Sequence, residues 1–249
     1  MPDMTSGLRL AGSLFVALVA APAAAQPPLP PPRPAEPAKP PPSPAAEPPP
    51  SSRPLDEAAQ PEEQTCLIRL REAGFMVSAA EAPNPSNALC RIDDPVRLSA
   101  VPVSNRPAAL VALPGQPLLA CRFAEAYGHW LGDLVAPYLA ASLGSELKAV
   151  HTGPGFECRN VNRAPSGKLS AHAEGLAIDT AAFELANGTR LNVKPGGPEA
   201  GRAALDTLRR AGCGWFTTIL GPGSDPSHTD HLHVDVQRHG SSDRYRICQ

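Results

Sequence analysis

Apolar residues recur at helical spacing in one long stretch of the chain. Between residues 118 and 143 they fall three and four positions apart, which predicts the main core helix, kinked at Pro137. Residues 61–73 predict a second helix, because proline stands at the start, two glutamates follow and glycine comes after the end. Residues 199–211 predict a short third helix, also followed by glycine.

Shorter apolar runs between turn residues predict the strands. These runs cover residues 148–152, 176–183, 189–193, 216–220 and 231–237, with further strand-like pieces in 90–103 that are interrupted by Pro95 and Pro102. Asn187 and Gly188 separate two of the runs and are typical of a hairpin turn. Strands mostly adjacent in sequence, with helices on the flanks, predict an α+β domain whose small sheet is antiparallel.

The N-terminal residues have the composition of a secretory signal. Arg9 precedes an uncharged run that ends in three alanines at residue 25, so residues 1–25 are predicted to be a signal peptide. The run is short for a membrane span, which needs about 20 apolar residues. We therefore expect export to the periplasm, with an uncleaved inner-membrane anchor as the alternative.

Residues 26–60 are rich in proline and alanine and predict a disordered linker in extended polyproline conformation. Such a linker could be a spacer that lets the domain search the cell wall, or an unconstrained tether. Residues 61–249 are long enough for one domain with its own core. The formal charge of −2 and the absence of a basic block do not favour nucleic-acid binding.

All the cysteines of the chain follow the linker, and their number is even. This is typical of disulfides in an exported protein, and no C-x-x-C motif suggests a cysteine metal site. The sequence leaves several connectivities open. We predict sequential pairing because it closes loops of modest length: Cys66–Cys90, Cys121–Cys158 and Cys213–Cys248.

Two histidine-containing segments carry the chemistry. Residues 170–179 have the sequence SAHAEGLAID, and residues 231–235 have the sequence HLHVD. His172, Asp179 and His233 form a His/Asp/His set, which is the ligand count of a catalytic zinc with one position left for water. The alternative is a buried His–Asp hydrogen bond without a metal. On a strand, residues i and i+2 project to the same face, so His231 is expected beside His233.

The pattern S-x-H-x-x-G-x-A-x-D followed by H-x-H resembles the zinc peptidases grouped as lysostaphin, D-Ala-D-Ala carboxypeptidase and hedgehog-like. The surrounding text is similar to the bacterial extensin-like C-terminal domain family over about residues 62–249. Segments 90–100, 156–160, 170–183 and 220–236 carry this second resemblance. The resemblance implies a hedgehog/D-Ala-D-Ala-peptidase-like fold and Zn²⁺ as the cofactor.

The resemblance also implies roles for individual residues. It assigns His233 to the metal and His231 to catalysis, as a proton shuttle or as a donor to the oxyanion. Other branches of the peptidase group have a Glu three residues before the last zinc ligand, where this chain has Asp230. Asp230 is therefore a candidate general base, although its side chain is shorter and a structural role remains open.

Three further residues have candidate roles near the motifs. Arg159 and Ser170 match an Arg and a Ser that contact the substrate in related peptidases; a surface ion pair and a turn cap are the respective alternatives. Asp235 could orient a ligand histidine from outside the metal site. Together these features predict an exported zinc peptidase that cleaves peptidoglycan stem or crosslink peptides, as an endopeptidase or a D,D-carboxypeptidase. The alternative is a non-catalytic domain of the same fold that binds cell-wall peptides.

Overall fold

Ten strands form one sheet in the computed structural model, which describes residues 60–241 and 244–249. The strands are β1 (Met76–Ala79), β2 (Pro95–Val103), β3 (Arg106–Ala112), β4 (Leu118–Ala120), β5 (Leu147–Thr152), β6 (Ala177–Leu185), β7 (Arg190–Asn192), β8 (Thr218–Leu220), β9 (Leu232–Asp235) and β10 (Ile247–Cys248). The predicted signal peptide and nearly all of the predicted linker, residues 1–59, lie outside the described residues.

Helices flank this sheet. The α-helices are α1 (Gln60–Glu72), α2 (Cys121–His129), α3 (Ala136–Leu143) and α4 (Glu199–Gly212), and a π-helical segment, Trp130–Val135, joins α2 to α3. Two short 3₁₀ turns, Val161–Arg163 and Ala171–Glu174, precede β6. The predicted α+β class is confirmed, and the helices predicted over residues 61–73 and 199–211 correspond to α1 and α4.

The sheet is mixed, so the prediction of a small antiparallel sheet is wrong. The strand order is β1-β2-β3-β5-β6-β9-β8-β10, with β4 paired to β2 and β7 paired to β6. Strands β3 and β5 are parallel, as are β8 and β10, and the other pairs are antiparallel. The first parallel pair arises because the chain crosses over through the α2–α3 helical segment before it returns to the sheet, as parallel neighbours require.

The long helix predicted over residues 118–143 is divided in the structure. Its first residues form β4, because a short apolar run suits a strand as well as a helix. The remainder widens into the π-helical segment just before Pro137, which lies in the first turn of α3. Within that segment the carbonyl of Gly132 accepts a hydrogen bond from the backbone N–H of Ser104, at 3.3 Å. The irregularity therefore lies where the helix meets the β2–β3 turn.

Aromatic side chains of this helical segment fill the core. Tyr127 and Trp130 are fully buried, and the ring of Trp130 lies edge-on to that of Phe216, with 5.4 Å between centroids. The hydroxyl of Tyr127 lies 2.8 Å from Oγ1 of Thr180 on β6. Because neighbouring strand residues project to opposite faces, Thr180 faces this core and Asp179 faces away from it.

Three disulfides connect the six cysteines, as Cys66–Cys121, Cys90–Cys158 and Cys213–Cys248. The prediction that all six pair is confirmed, and so is the last predicted pair. The predicted pairs Cys66–Cys90 and Cys121–Cys158 are wrong, because α1 packs against α2 while the loop before β2 packs near residue 158. Loop length alone does not determine which segments become neighbours.

The disulfides bear on the compartment of the protein. Stable structural disulfides are typical of oxidising compartments, so three of them point to an extracytoplasmic location. Among the described residues, no helix has the length and apolar character needed to cross a membrane.

Candidate metal centre

Two of the predicted metal ligands face each other across the centre of the sheet. Asp179 on β6 is the direct antiparallel partner of His233 on β9, so the two side chains project from the same face. The intervening residues, Ile178 and Val234, are partners on the opposite face and are fully buried. The alternation of the strands therefore separates the candidate metal centre from the core.

The third predicted ligand, His172, comes from the 3₁₀ turn that precedes β6. The side chain of Ser170 caps this turn, because its Oγ accepts the backbone N–H of His172 at 3.4 Å. Gly175 ends the turn with a left-handed φ of 65°. A Cβ atom there would lie 2.4 Å from Cδ1 of Ile92 and 2.8 Å from the backbone N of Ala120, so a larger residue does not fit.

The ligand atoms of these three residues converge. Nε2 of His172 lies 3.2 Å from Oδ1 of Asp179 and 3.3 Å from Nδ1 of His233, and the last two atoms are 2.9 Å apart. Tetrahedral zinc with bonds of about 2.0–2.1 Å places its ligand atoms about 3.3 Å from one another. The separations therefore suit a metal ion, and no other group of three His, Cys, Asp or Glu ligands within the described residues does so.

Neighbouring acceptors determine which nitrogen of each imidazole is available. Nδ1 of His172 donates to the carbonyl of Gly155 at 2.7 Å, which leaves Nε2 free. Nε2 of His233 donates to Oδ2 of Asp235 at 3.1 Å, which leaves Nδ1 free. With both imidazoles neutral, two nitrogen lone pairs and a carboxylate oxygen point at one another. Such a set requires a positive charge between its members, either a metal ion or a proton.

The electrostatics of the metal-free centre agree with this requirement. Burial raises the pKa of Asp179, but hydrogen bonds from His172 and His233 outweigh it, and the net pKa lies well below its usual range. Burial lowers the pKa of His233, but hydrogen bonds to Asp179 and Asp235 outweigh it and raise this pKa to about 9. Without a metal, a proton on His233 therefore supplies the positive charge.

A family model described as extensin-like protein C-terminus matches residues 64–249. The chain belongs to this family. All the candidate site residues lie within the matched region. Comparisons with curated proteins and with solved structures give no significant match. The family is thus established for the extensin-like domain, and its activity is considered below from the site itself.

His231 of the extensin-like domain lies beside the three converging residues. Its Nε2 is 3.6 Å from Oδ1 of Asp179, and its Nδ1 is 3.0 Å from Oδ1 of Asp230. The Asp230 side chain is 71% exposed, and its contact is with His231. The structure therefore gives Asp230 a neighbour that it can orient, while its candidacy as a general base stays a prediction.

Arg159 borders the centre on another side. One of its terminal nitrogens is 3.7 Å from Oδ2 of Asp179, and its Nε donates to Oε2 of Glu157 at 2.8 Å. Only 16% of the Arg159 side chain is exposed, so it is not a free surface charge. Ser170 is buried and caps the turn of His172. Contact of Arg159 or Ser170 with a substrate stays a prediction.

Sequence reasoning missed several neighbours of the centre. His228 is buried, and its ring centroid lies 5.2 Å from that of His231 and 5.4 Å from that of His233. Its Nδ1 is 2.7 Å from Oδ2 of Asp225, and burial lowers the pKa of His228 more than Asp225 raises it. The available signal was position, since His228 precedes the H-x-H segment by one turn of chain. The carbonyl of Gly155 had no signal in the sequence, because every residue has a carbonyl.

Proposed function

We propose that the extensin-like domain is a zinc-dependent peptidase that cleaves peptidoglycan stem or crosslink peptides. The observation that carries this proposal is the convergence of His172 Nε2, Asp179 Oδ1 and His233 Nδ1 at 2.9–3.3 Å. Two imidazoles and one carboxylate are a donor set that suits zinc, and three protein ligands are typical of a catalytic site. Bound there, zinc supplies Lewis-acid activation of water and of the scissile carbonyl.

His231 is the proposed proton-transfer residue. Its Nδ1–H donates to Asp230 at 3.0 Å, so Nε2 of the neutral ring is a proton acceptor on the side of the centre. Nε2 can take a proton from the attacking water and deliver it to the leaving amine. In this proposal Asp230 acts through His231, since it holds the ring in the tautomer that leaves Nε2 free.

Arg159 is the proposed contact for a carbonyl or carboxylate of the substrate. Its guanidinium is permanently charged, and Glu157 holds it at the edge of the centre. A group at this distance from the three ligands can orient a peptide across the site.

Peptidoglycan peptides are proposed as the substrate from two independent observations. The paired motifs resemble those of zinc peptidases that act on such peptides, which includes the finer proposal of a hedgehog/D-Ala-D-Ala-peptidase-like fold. The three disulfides support a location outside the cytoplasm, and within that range we propose the periplasm.

Digestion of purified sacculi by the zinc-loaded protein tests the proposal. Mass spectrometry of the soluble products should find muropeptides with newly exposed amino and carboxyl termini, and zinc analysis should find about one ion per chain. Protein treated with a chelator should release none until zinc is restored. Zinc-loaded protein that binds sacculi without releasing peptides would instead favour the non-catalytic binding domain.

A further inference from the structure

A cationic loop borders the candidate metal centre. It runs from Arg159 to Ser170 and contains Arg159, Arg163 and Lys168 but no acidic residue. Its base is closed by an antiparallel bridge between Asn160 and Leu169, and the backbone N–H of residue 161 donates to the carbonyl of residue 168 at 2.9 Å. Because both ends of the loop lie at the centre, its charges stand at the rim of the proposed active site.

Glu157 joins two guanidinium groups of this region. Its Oε2 accepts from Nε of Arg159 at 2.8 Å and from a terminal nitrogen of Arg163 at 2.9 Å, while Oε1 accepts from the other terminal nitrogen of Arg163. Burial raises the pKa of Glu157, but the hydrogen bonds from Arg163 and Arg159 outweigh it, so the pKa lies below its usual range. One carboxylate between two guanidiniums leaves the group with a net positive charge.

Most N–H groups of Arg159 are left for another partner. Its Nε is bonded to Glu157, but its terminal nitrogens make only a 3.5 Å contact with the carbonyl of Asn160 and a 3.7 Å contact with Asp179. Both separations are longer than a charge-assisted hydrogen bond, which is about 2.7–2.9 Å. The fork of Arg159 is therefore oriented by Glu157 and incompletely bonded on the side of the centre.

The backbone of the loop holds Arg163 in a fixed direction. Asn162 and Arg163 have left-handed φ values of 54° and 56°, which residues other than glycine rarely adopt. The N–H of Arg163 donates to the carbonyl of Asn160 at 3.1 Å, and the side chain of Asn160 donates to the carbonyl of Ala164 at 3.0 Å. The pKa of Arg163 is raised mainly by Glu157 and further by Asp179, in agreement with its position near the centre.

We propose that Arg159 and Arg163, held on either side of Glu157, form a subsite for a free carboxylate of the peptide substrate. The inference rests on the proposed function and makes it more specific: the preferred substrates are peptides with an ionised carboxylate close to the scissile bond. Arg159 supplies the buried fork, Arg163 supplies a second charge at the rim, and Glu157 is a positioning residue for both. Planar guanidinium forks match carboxylates with two parallel hydrogen bonds.

A matched pair of peptides tests the subsite. The probe is an acetylated peptide that ends in D-Ala-D-Ala, prepared as the free acid and as the carboxamide. Calorimetric titration gives the affinity of the zinc-loaded protein for each, and product analysis gives kcat/KM. We expect the protein to prefer the acid by about tenfold or more, as for a charge-assisted hydrogen bond.

Two loop variants separate the subsite from general electrostatics. Arg163→Gln should reduce the preference for the acid by about threefold to tenfold, and Arg163→Lys should restore part of it. Lys168→Gln makes the same change of charge in the same loop, at a side chain that has no ion pair within the described residues, and should leave the preference unchanged. Zinc content and the melting temperature of each variant should equal those of the wild type.

The outcomes distinguish this inference from the proposed function. Equal affinity of the wild type for acid and amide, or equal loss of preference in the Arg163 and Lys168 variants, overturns the subsite even when peptides are cleaved. Preferential binding of the acid without cleavage supports the subsite and counts against the peptidase. Failure to bind either peptide contradicts the subsite directly.

Discussion

Zinc binding at the proposed centre should expel a proton from His233. In the metal-free protein, carboxylates on both sides raise the pKa of this imidazole to about 9. A metal ion needs the lone pair of Nδ1, so zinc and the proton compete for the same atom. At pH 7, two units below this pKa, the proton should weaken the apparent zinc affinity about 100-fold.

The pH dependence of zinc affinity measures this competition. Affinity should rise about tenfold per pH unit between pH 7 and 8.5 and should level off above pH 9. Competition with a chromophoric chelator gives the affinity at each pH, and calorimetry in buffers of different ionisation enthalpy gives the number of protons released. The variant His231→Ala should show the same slope, because His231 is not a proposed ligand.

Two outcomes would refute this reasoning. A slope near zero would mean that His233 is already neutral at pH 7, so that the carboxylates do not hold a proton there. A slope near two would mean that a second group loses a proton with His233, and the single-proton account would be wrong.

The same pKa predicts how the stability of the metal-free protein depends on pH. The folded-state pKa of His233, about 9, is above the ordinary 6.5, so its stabilising contribution is complete below pH 6.5 and is lost as the pH rises to 9. The difference corresponds to at most about 3 kcal/mol of unfolding free energy. The pKa of Asp179 is lowered, so its contribution is present above pH 3.8 and is lost as the pH falls. Urea midpoints of chelator-treated protein, with disulfides intact, should decline from pH 6.5 to pH 9.

Three substitutions test other parts of the centre. His231→Ala should keep zinc and lose about 10²–10⁴ in hydrolysis rate, whereas His233→Ala should lose both; equal zinc loss, measured by elemental analysis, would contradict the division of roles. Asp235→Ala should weaken zinc binding about 10–100-fold at pH 9, where proton competition is small, in the chelator assay. Gly175→Ala should lower the urea midpoint by more than 1 kcal/mol of unfolding free energy, since its Cβ would meet the backbone of Ala120; an unchanged midpoint would show that the turn can relax.

The sequence predicts those parts of the centre that depend on local geometry. His231 and His233 lie two positions apart, so a strand alone brings them to one face, and Ser170 and Gly175 bound the short turn that presents His172. Asp179 follows within the same motif on β6. These relations hold over a few residues, and the strand alternation fixes them before any tertiary contact forms.

What the sequence did not predict depends on the packing of distant segments. The carbonyl of Gly155 selects the tautomer of His172, yet only the fold brings the two together. Glu157 and Arg163 meet because the loop has two left-handed residues, and nothing in the residue types demands that conformation. The parallel pairing of β3 with β5 likewise follows from the crossover between them and not from their apolar patterns.

The disulfide connectivity has a consequence for the biogenesis of the protein. Cys66 pairs with Cys121 and Cys90 pairs with Cys158, so the two covalent loops interleave along the chain. When a chain enters an oxidising compartment N-terminus first, Cys66 and Cys90 arrive together and before either native partner. A bond formed at that moment must be exchanged later, by attack of a thiolate on the wrong disulfide. Maturation of this domain therefore depends on disulfide isomerisation, and a host without an isomerase should yield protein with scrambled N-terminal cysteines and a correct Cys213–Cys248 bond.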